Sequence, residues 1–338
     1  LERVEQARRV IGRIPAGETK SHVRLNAILS DIAIRQQTAS PPLASAGATP
    51  EAAPFKDTVL RKEAWVAADA PVRIEAVPGD ITVTGGDCDE VMVTATKFAR
   101  VKSKENIRAA LDALQVKVEN TEKGLLIRSV AEGDMAALGC TSYRLDLSVE
   151  CPRTVNLDIV AANGNTSVSS TGGTLKVTQA AGTVAIEHNK GPVDATNDNG
   201  GVEIISCAGP VQAKTLNGDI LVRDVYAAIT VNNSRGKTVV ESPHADVNVR
   251  NTNGDVRILA LDGLEGNLEV VNEKGNIGVL IPQSTDASLS VIAQVGTVRS
   301  AIEMIGNVKK DAQEFAKVGT GPYRVTLQAR NGDVYINE

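Results

Sequence analysis

Three copies of the tripeptide Asn-Gly-Asp hold the acidic side chains best placed to do chemistry. The copies start at Asn217, Asn253 and Asn331. Calcium-binding β-rolls set glycines and aspartates at every corner, so that adjacent coils supply the roughly six to eight oxygens that Ca²⁺ needs. Here the aspartates stand singly, because the place equivalent to Asp219 and Asp255 in the unit between them is Lys237. The tripeptide therefore predicts turn chemistry and no metal site.

Catalytic groupings of other kinds are equally sparse. The three histidines are scattered, and the chain has no phosphate-binding loop, nucleophile elbow or HExxH motif. A polysaccharide-cleaving β-helix needs carboxylates that converge on one face, but Glu187, Glu203 and Asp224 fall at different places of the repeat described below. The sequence therefore predicts no catalytic residue, no cofactor and no enzymatic activity.

The cysteines show no metal-binding or redox pattern. They are Cys88, Cys140, Cys151 and Cys207. They form no CxxC pair, and no histidine stands near them at zinc-ligand spacing. We expect most of them to be buried thiols, with a disulfide between Cys140 and Cys151 as the lesser alternative in an oxidising compartment.

The overall composition argues against some partners and favours one fold class. A formal net charge of −5 and a pI near 5.5 argue against nucleic acid, since neutralising phosphates needs clustered Lys and Arg. Only 2% of the residues are aromatic, and the many β-branched residues favour β structure. No apolar run reaches the roughly 20 residues that span a bilayer. Because the chain begins at Leu1, we expect any signal peptide or anchor to lie upstream.

Glycines at a fixed spacing reveal a repeat. They recur every 18 residues and then at two spacings of 21 that end at Gly296. The principal glycines are Gly164, Gly182, Gly200, Gly218, Gly236, Gly254 and Gly275. A short strand that turns sharply into the next often needs positive φ at its corner, which glycine adopts freely. We therefore predict that these glycines are structural turns.

Aliphatic residues keep the same period. Two and four places after the principal glycines stand Val184, Val202, Ile220 and Val256 in one column, and Ile186, Ile204, Val222, Val240 and Ile258 in the other. Period 2 within a segment indicates a strand with one face inward, and period 18 indicates that equivalent strands stack. The sequence thus predicts an all-β fold: a single-stranded parallel β-solenoid with 18-residue coils about 4.8 Å apart. The two columns form its core ladder.

Other elements precede the regular coils. Residues 1–38 are predicted to be a helical extension, either a membrane-surface or partner-docking helix pair or an ordinary amphipathic pair. One helix face there consists of Leu25, Ile28, Leu29 and Ile32. Residues 39–57 form a Pro/Ala linker. The solenoid domain covers residues 58–338, with regular coils over about residues 163–300 and one short helix, SKENIRAALDAL, near its N-terminal end.

Several stretches, taken in order, resemble a known family. They are VRIEAVPGDITVTGGDCDEVMVTATK, the helix followed by LQVKVENTEKGLLI, the strand YRLDLSVECPRTVNLDIVAANGNTSV, the serial Asn-Gly-Asp coils, and the closing LIPQSTDASLSVIAQVGTVRS and YRVTLQARNGDVYIN. Over roughly residues 60–338 the chain is similar to the bacterial putative-adhesin family of β-strand-repeat proteins, a domain of unknown function. The resemblance implies a β-solenoid outside the cytoplasm, without enzymatic activity, for which roles in adhesion or envelope stress have been suggested.

These observations favour a non-enzymatic binding and scaffold module of the cell envelope or surface, because repeat proteins offer extended faces rather than pockets. The expected partner is an envelope protein or a polysaccharide, and the expected location is the periplasm or cell surface. The first alternative is a bactofilin-like scaffold that self-associates through an open strand edge at Val334 to Ile336. The second is a polysaccharide-active β-helix enzyme. Membrane association through residues 1–38, or a segment before them, stays open.

Overall fold

A computed structural model describes residues 9–16, 19–26, 55–65, 70–282, 284–309, 312–317 and 319–337 of the 338-residue chain. The chain divides into two compact units, Leu1–Ala52 and Ala53–Glu338. Each unit is described by itself.

Most of the described residues lie in strands, and the strand bounds show a regular alternation after residue 156. The strands are β1 Arg9–Ala16, β2 Thr19–Asn26, β3 Phe55–Trp65, β4 Val72–Ala76, β5 Ile81–Gly86, β6 Glu90–Val101, β7 Leu114–Thr121, β8 Gly124–Ala131, β9 Cys140–Pro152, β10 Leu157–Asn163, β11 Thr166–Ser169, β12 Leu175–Ala181, β13 Val184–Glu187, β14 Val193–Asn199, β15 Val202–Cys207, β16 Val211–Asn217, β17 Ile220–Val225, β18 Ile229–Asn233, β19 Thr238–Pro243, β20 Val247–Asn253, β21 Val256–Leu259, β22 Leu268–Lys274, β23 Ile277–Leu280, β24 Ser288–Val295, β25 Val298–Ser300, β26 Ile305–Lys309, β27 Ala312–Lys317, β28 Arg324–Asn331 and β29 Val334–Ile336. A 3₁₀ turn, Lys104–Asn106, leads into the helix α1, Ile107–Ala113.

The described part of the N-terminal unit is a β-hairpin, so the helical prediction for residues 1–38 is wrong there. β1 and β2 pair antiparallel from Arg9 opposite Asn26 to Ala16 opposite Thr19. The physical reason lies in the strand sequence RVIGRIPA, because its β-branched residues favour extended backbone and its proline breaks a helix. Of the predicted helix face, Ile28, Leu29 and Ile32 lie outside the described residues.

The predicted linker is described only at its end. Residues 27–54 lie outside the described ranges, and residues 55–57 already belong to β3.

Each coil of the second unit contributes one strand to a 14-stranded sheet and one to a 13-stranded sheet. In the 13-stranded sheet, Val184 pairs with Val202, Val202 with Ile220, and Ile220 with Thr238. Thr238 in turn pairs with Val256. The parallel solenoid with an 18-residue period is thus confirmed. The inward side chains of both sheets form one hydrophobic core, and each buried Val or Ile contributes about 1.5–3 kcal/mol.

One longer coil keeps the register by looping out its extra residues. Val247 pairs with Leu268, a step of 21 positions, and residues 261–266 form turns between the strands on either side. The insertion therefore lies on the surface, as insertions in repeat proteins usually do.

The coils at the C-terminal end do not stack in sequence order. β28 lies between β22 and β24, and β29 lies between β23 and β25. Val334 consequently pairs with Ile277 on one side and Val298 on the other. The prediction that Val334 to Ile336 form an open edge is therefore wrong, because the last strands of the chain insert between two earlier coils.

The N-terminal end of the stack is also rearranged. The coil β4–β5 lies between β8–β9 and β10–β11, and antiparallel strands complete both sheets there. The short helix α1 is present as predicted. It buries Ala110 and Leu111, and its Leu111 carbonyl accepts a hydrogen bond of 3.1 Å from Lys97 Nζ. This end of the core is thus covered by a helix and antiparallel strands.

Candidate binding surface

The principal glycines form one corner of the solenoid. From Gly164 to Gly275 they have φ between 113° and 158°. A Cβ atom built on any glycine from Gly182 to Gly275 would lie only 1.8–2.2 Å from the carbonyl oxygen of the glycine one coil earlier. The corner therefore admits no side chain, both because φ is positive and because neighbouring backbones touch.

The aspartates of the Asn-Gly-Asp tripeptides hold adjacent coils together at this corner. Asp219 Oδ1 accepts a hydrogen bond from the backbone N–H of Lys237 at 2.7 Å. Asp333 Oδ1 accepts one from Thr297 N–H at 2.7 Å, and this bond, with a second from the Tyr335 hydroxyl, keeps the pKa of Asp333 below its usual value. Across the described residues, no three His, Cys, Asp or Glu side chains lie close enough together to hold a metal ion.

A ladder of buried polar side chains lies just inside the same corner. Its members are Gln179, Asn197, Thr215, Asn233, Asn251 and Asn272. Asn197 Nδ2, for example, donates to the carbonyl of Gly182 at 2.7 Å. These side chains satisfy backbone carbonyls that would otherwise be buried without partners. The sequence-based prediction did not include this ladder, although its members recur in the sequence every 18 residues and then after one step of 21.

The candidate acids and histidines do not come together. Glu187 pairs in register with Ile205, and Glu203 pairs with Leu221, so the two carboxylates occupy different columns. Asp224 lies at the following corner, where its φ is 52°. His188 and His244 lie on different coils. The described surface thus brings together no pair of acids suited to glycoside cleavage.

The outer face of the 14-stranded sheet carries an ion-pair network at its N-terminal end. Arg73 forms an ion pair with Asp158 and, through Nε, bonds Glu75 Oε1 at 2.8 Å. Arg128 reaches the other Glu75 oxygen at 2.8 Å. The hydrogen bond from Arg73, followed by that from Arg128, holds the pKa of Glu75 below its ordinary value against partial desolvation. The network fixes these charged side chains across three adjacent strands.

A groove of about 450 Å³ lies beside this network. Ala162 and Ala180 line it at exposed positions of β10 and β12, and the charged residues Glu75, Arg128 and Asp198 border it. The groove exists because small alanine side chains stand next to longer side chains on the same face. It is open to solvent along the sheet, which suits an extended partner better than an enclosed small molecule.

The cysteines are free thiols in different environments. Cys140 begins strand β9 and Cys151 is its last residue but one, so the two lie many residues apart along an extended chain. Both are free thiols, and the alternative disulfide is wrong. Cys151 and Cys207 are buried, Cys140 is half-buried and Cys88 is exposed. Burial, with a smaller effect of the nearby Cys88, raises the pKa of Cys151 to about 12.

None of the helices within the described ranges is long and apolar enough to cross a bilayer.

Comparison with known proteins gives a family and several similar structures. A putative cell adhesion protein from Clostridium sporogenes is 12% identical, with coverage of 84% of this chain and 99% of that chain and a TM-score of 0.19. A putative adhesin from Bacteroides fragilis is 9% identical, with coverage of 82% of this chain and 96% of that chain and a TM-score of 0.34. A putative adhesin from Parabacteroides merdae is 11% identical, with coverage of 83% of this chain and 97% of that chain and a TM-score of 0.36. No curated protein matches the chain. Residues 72–337 match the family described as Toastrack DUF4097, and the chain belongs to this family.

Proposed function

We propose that the protein is a non-enzymatic binding and scaffold module of the cell envelope or cell surface. The observation that carries this proposal is the open groove at Ala162 and Ala180 on the outer face of a long, regular sheet. Its alanine lining offers apolar contact, and Glu75, Arg128 and Asp198 offer polar contacts at its border. An envelope protein segment or a polysaccharide chain lying across the strands would use both kinds of contact.

Charged side chains that are held by ion pairs border this groove. Glu75 forms ion pairs with both Arg128 and Arg73. A partner therefore meets side chains that lose little rotamer freedom on binding, which lowers the entropic cost of association.

The self-assembling scaffold has less support. The strand that would have served as its contact, β29, is paired on both sides. At the C-terminal end the backbone N–H of Val298, in the edge strand β25, donates to Gln313 Oε1 at 2.9 Å. Because β25 has only three residues and one of its N–H groups is already bonded, it offers few backbone groups for pairing with a second copy.

Retention on isolated envelope fractions tests the proposed function. The purified protein is mixed with membrane, cell-wall and cytosolic fractions of its own organism, and bound protein is quantified after sedimentation. We expect retention on an envelope fraction. The variant Ala180→Trp, which fills the groove, should weaken it about tenfold.

Thr252→Trp is the matched control, because Thr252 occupies the same outward column of the same sheet, away from the groove. It should bind as the unmodified chain does. Equal binding of the two tryptophan variants, or retention only on the cytosolic fraction, would contradict the proposal.

A further inference from the structure

A second surface feature lies at the corner opposite the principal glycines. Successive coils there place one residue directly above the next, with backbone hydrogen bonds from Lys190, Ala208, Tyr226 and His244 to the coil before each. The Tyr226 side chain is 61% exposed, which is the largest exposed fraction among the aromatic residues whose burial the structure describes. A large aromatic ring left in water at a regular corner needs an explanation.

The Tyr226 ring is held in place on one side only. The His244 ring stacks on it with centroids 4.3 Å apart and an interplanar angle of 1°. His244 is itself fixed, because its Nδ1 lies 3.2 Å from Glu265 Oε1. The 4.3 Å separation is close to the spacing of about 4.8 Å between coils. The two rings therefore lie across the stacking direction, and the second face of Tyr226 points toward the preceding coil.

That second face is open. The residue on the preceding coil is Ala208, whose side chain ends at Cβ, and the following corner residue Gly209 has no side chain. Lys190 stands one coil further and is exposed. Between Tyr226 and Lys190 there are two coil spacings, or roughly 9.6 Å. A saccharide ring, which is about as thick as one coil, fits this gap.

We propose that the open face of Tyr226 binds the pyranose ring of a glycan. The C–H groups on one face of a sugar carry partial positive charge and meet the negative face of the aromatic ring. Lys190 can donate hydrogen bonds to hydroxyl or carboxylate groups on the other face of the same sugar. Lys190 is exposed, so its ammonium can reach such groups.

Other planar ligands fit less well. A nucleobase would bring phosphates to a chain with a net charge of −5. A quaternary ammonium group prefers a cage of several aromatic rings, whereas Tyr226 has one aromatic neighbour, the His244 imidazole. A glycan needs only one ring face and a few polar groups. This inference rests on the proposed binding function but uses a site separate from the groove.

Titration with defined oligosaccharides tests the proposal. The probes are cellohexaose and a hexamer of galacturonic acid, followed by calorimetry and by saturation-transfer NMR from the tyrosine ring protons to the sugar. We expect at least one probe to bind and to receive magnetisation from Tyr226. Tyr226→Ala should weaken binding about five- to tenfold, and Tyr226→Phe should keep it within about twofold, since the ring face is retained.

Leu216→Ala is the control, because Leu216 is an exposed aliphatic residue that lies on a sheet face and not at this corner. It should leave affinity unchanged. The proposal is overturned if neither probe binds at millimolar concentration, or if Tyr226→Ala binds as the unmodified chain does. Measuring Ala180→Trp in parallel separates the two proposals: a loss with Ala180→Trp alone assigns binding to the groove, and envelope retention without sugar binding leaves the proposed function standing.

Discussion

At the scale of single residues, each position at the corner of the principal glycines stabilises the repeat through one kind of contact. The principal glycines allow close backbone approach, the aspartates accept a hydrogen bond from the next coil, and the buried amides satisfy glycine carbonyls. The glycine and aspartate tasks follow from the sequence, because few residues tolerate positive φ and isolated acids suit turns. The buried amides do not follow so easily, since asparagine is usually an exposed residue.

Gly200→Ala should be strongly destabilising. Gly200 has φ 137°, and an added Cβ would lie 1.9 Å from the carbonyl oxygen of Gly182. Backbone of the neighbouring coil must move to relieve this contact, so we expect a loss of about 3 kcal/mol or more in urea unfolding. Gly133→Ala is the control, because Gly133 has φ 80° and nothing within 4 Å of the added Cβ. It should cost about 1 kcal/mol; equal losses at the two sites would refute the role of close approach.

Asn233→Ala tests the buried polar ladder. Asn233 Nδ2 donates to the carbonyl of Gly218 at 3.1 Å, and the side chain is 3% exposed. Its removal leaves a buried carbonyl unsatisfied and a small cavity, so the free energy of unfolding should fall by about 2–3 kcal/mol. Asn232→Ala, at the adjacent outward position, should change it by less than about 0.5 kcal/mol. Similar effects of both substitutions would show that the ladder adds no stability.

The buried thiol of Cys151 should make stability fall in alkaline solution. Its pKa is about 12 in the folded chain against an ordinary 9.0, so the folded state keeps a proton that the unfolded state loses. The stabilisation from this group is full below pH 9 and decreases between pH 9 and pH 12. Cys151→Ala should flatten this part of the curve of unfolding free energy against pH. In native alkylation at pH 8, mass spectrometry should find exposed Cys88 modified and Cys151 unmodified.

At the scale of strands, the sequence predicts the regular coils well and the ends poorly. The file through Val184, Val202 and Ile220 was predictable because local period 2 and long-range period 18 agree. The order of the strands at the C-terminal end was not predictable, because residues 288–300 and residues 324–336 both fit the coil pattern. Long-range packing decides which of the two segments lies next to β22–β23. The sequence of the β26–β27 hairpin, which connects the two segments, does not indicate their order in the sheet.

The second corner shows a similar limit on sequence reasoning. Its left-handed residues, with φ between 46° and 59°, recur every 18 residues. They are Ser170, His188, Ser206, Asp224 and Ser242. Two glycines at this corner, Gly191 and Gly209, do not have positive φ. They are needed because an added Cβ would lie 2.2 Å from a carbonyl oxygen of the preceding coil. Short polar residues thus take the strained backbone, which Asp and His tolerate better than most.

Removing residues 323–338 tests the inserted position of the last strands. This truncation deletes β28 and β29, which pair with β24 and β25 on one side and with β22 and β23 on the other. We expect the amides of β24 to lose their protection from hydrogen exchange, whereas those of β20, deeper in the stack, keep theirs. Unchanged protection of β24 would mean that it can stack directly on β22, as a solenoid in sequence order would.

At the scale of the whole molecule, the ends decide whether coils of one chain continue into another. The edge strands of the two sheets are β26 and β25 at one end and β7 and β3 at the other. Each end includes antiparallel pairing, which interrupts the parallel ladder that a second copy would extend. Both proposed binding sites, the groove and the Tyr226 corner, lie on the lateral faces rather than at the ends.

The purified chain should therefore sediment as a monomer of 35.5 kDa even at high concentration. One reason is that the Gln313 side chain already accepts a hydrogen bond from the backbone of the short edge strand β25. The other is that the antiparallel edge strand β26 does not continue the parallel register that the first coil of a second copy would need. Ile305, which is 88% exposed on β26, is the residue best placed to contradict this. Ile305→Lys should leave the sedimentation coefficient unchanged. Filaments seen by electron microscopy that Ile305→Lys abolishes would reverse the conclusion and favour the self-assembling scaffold over the binding module.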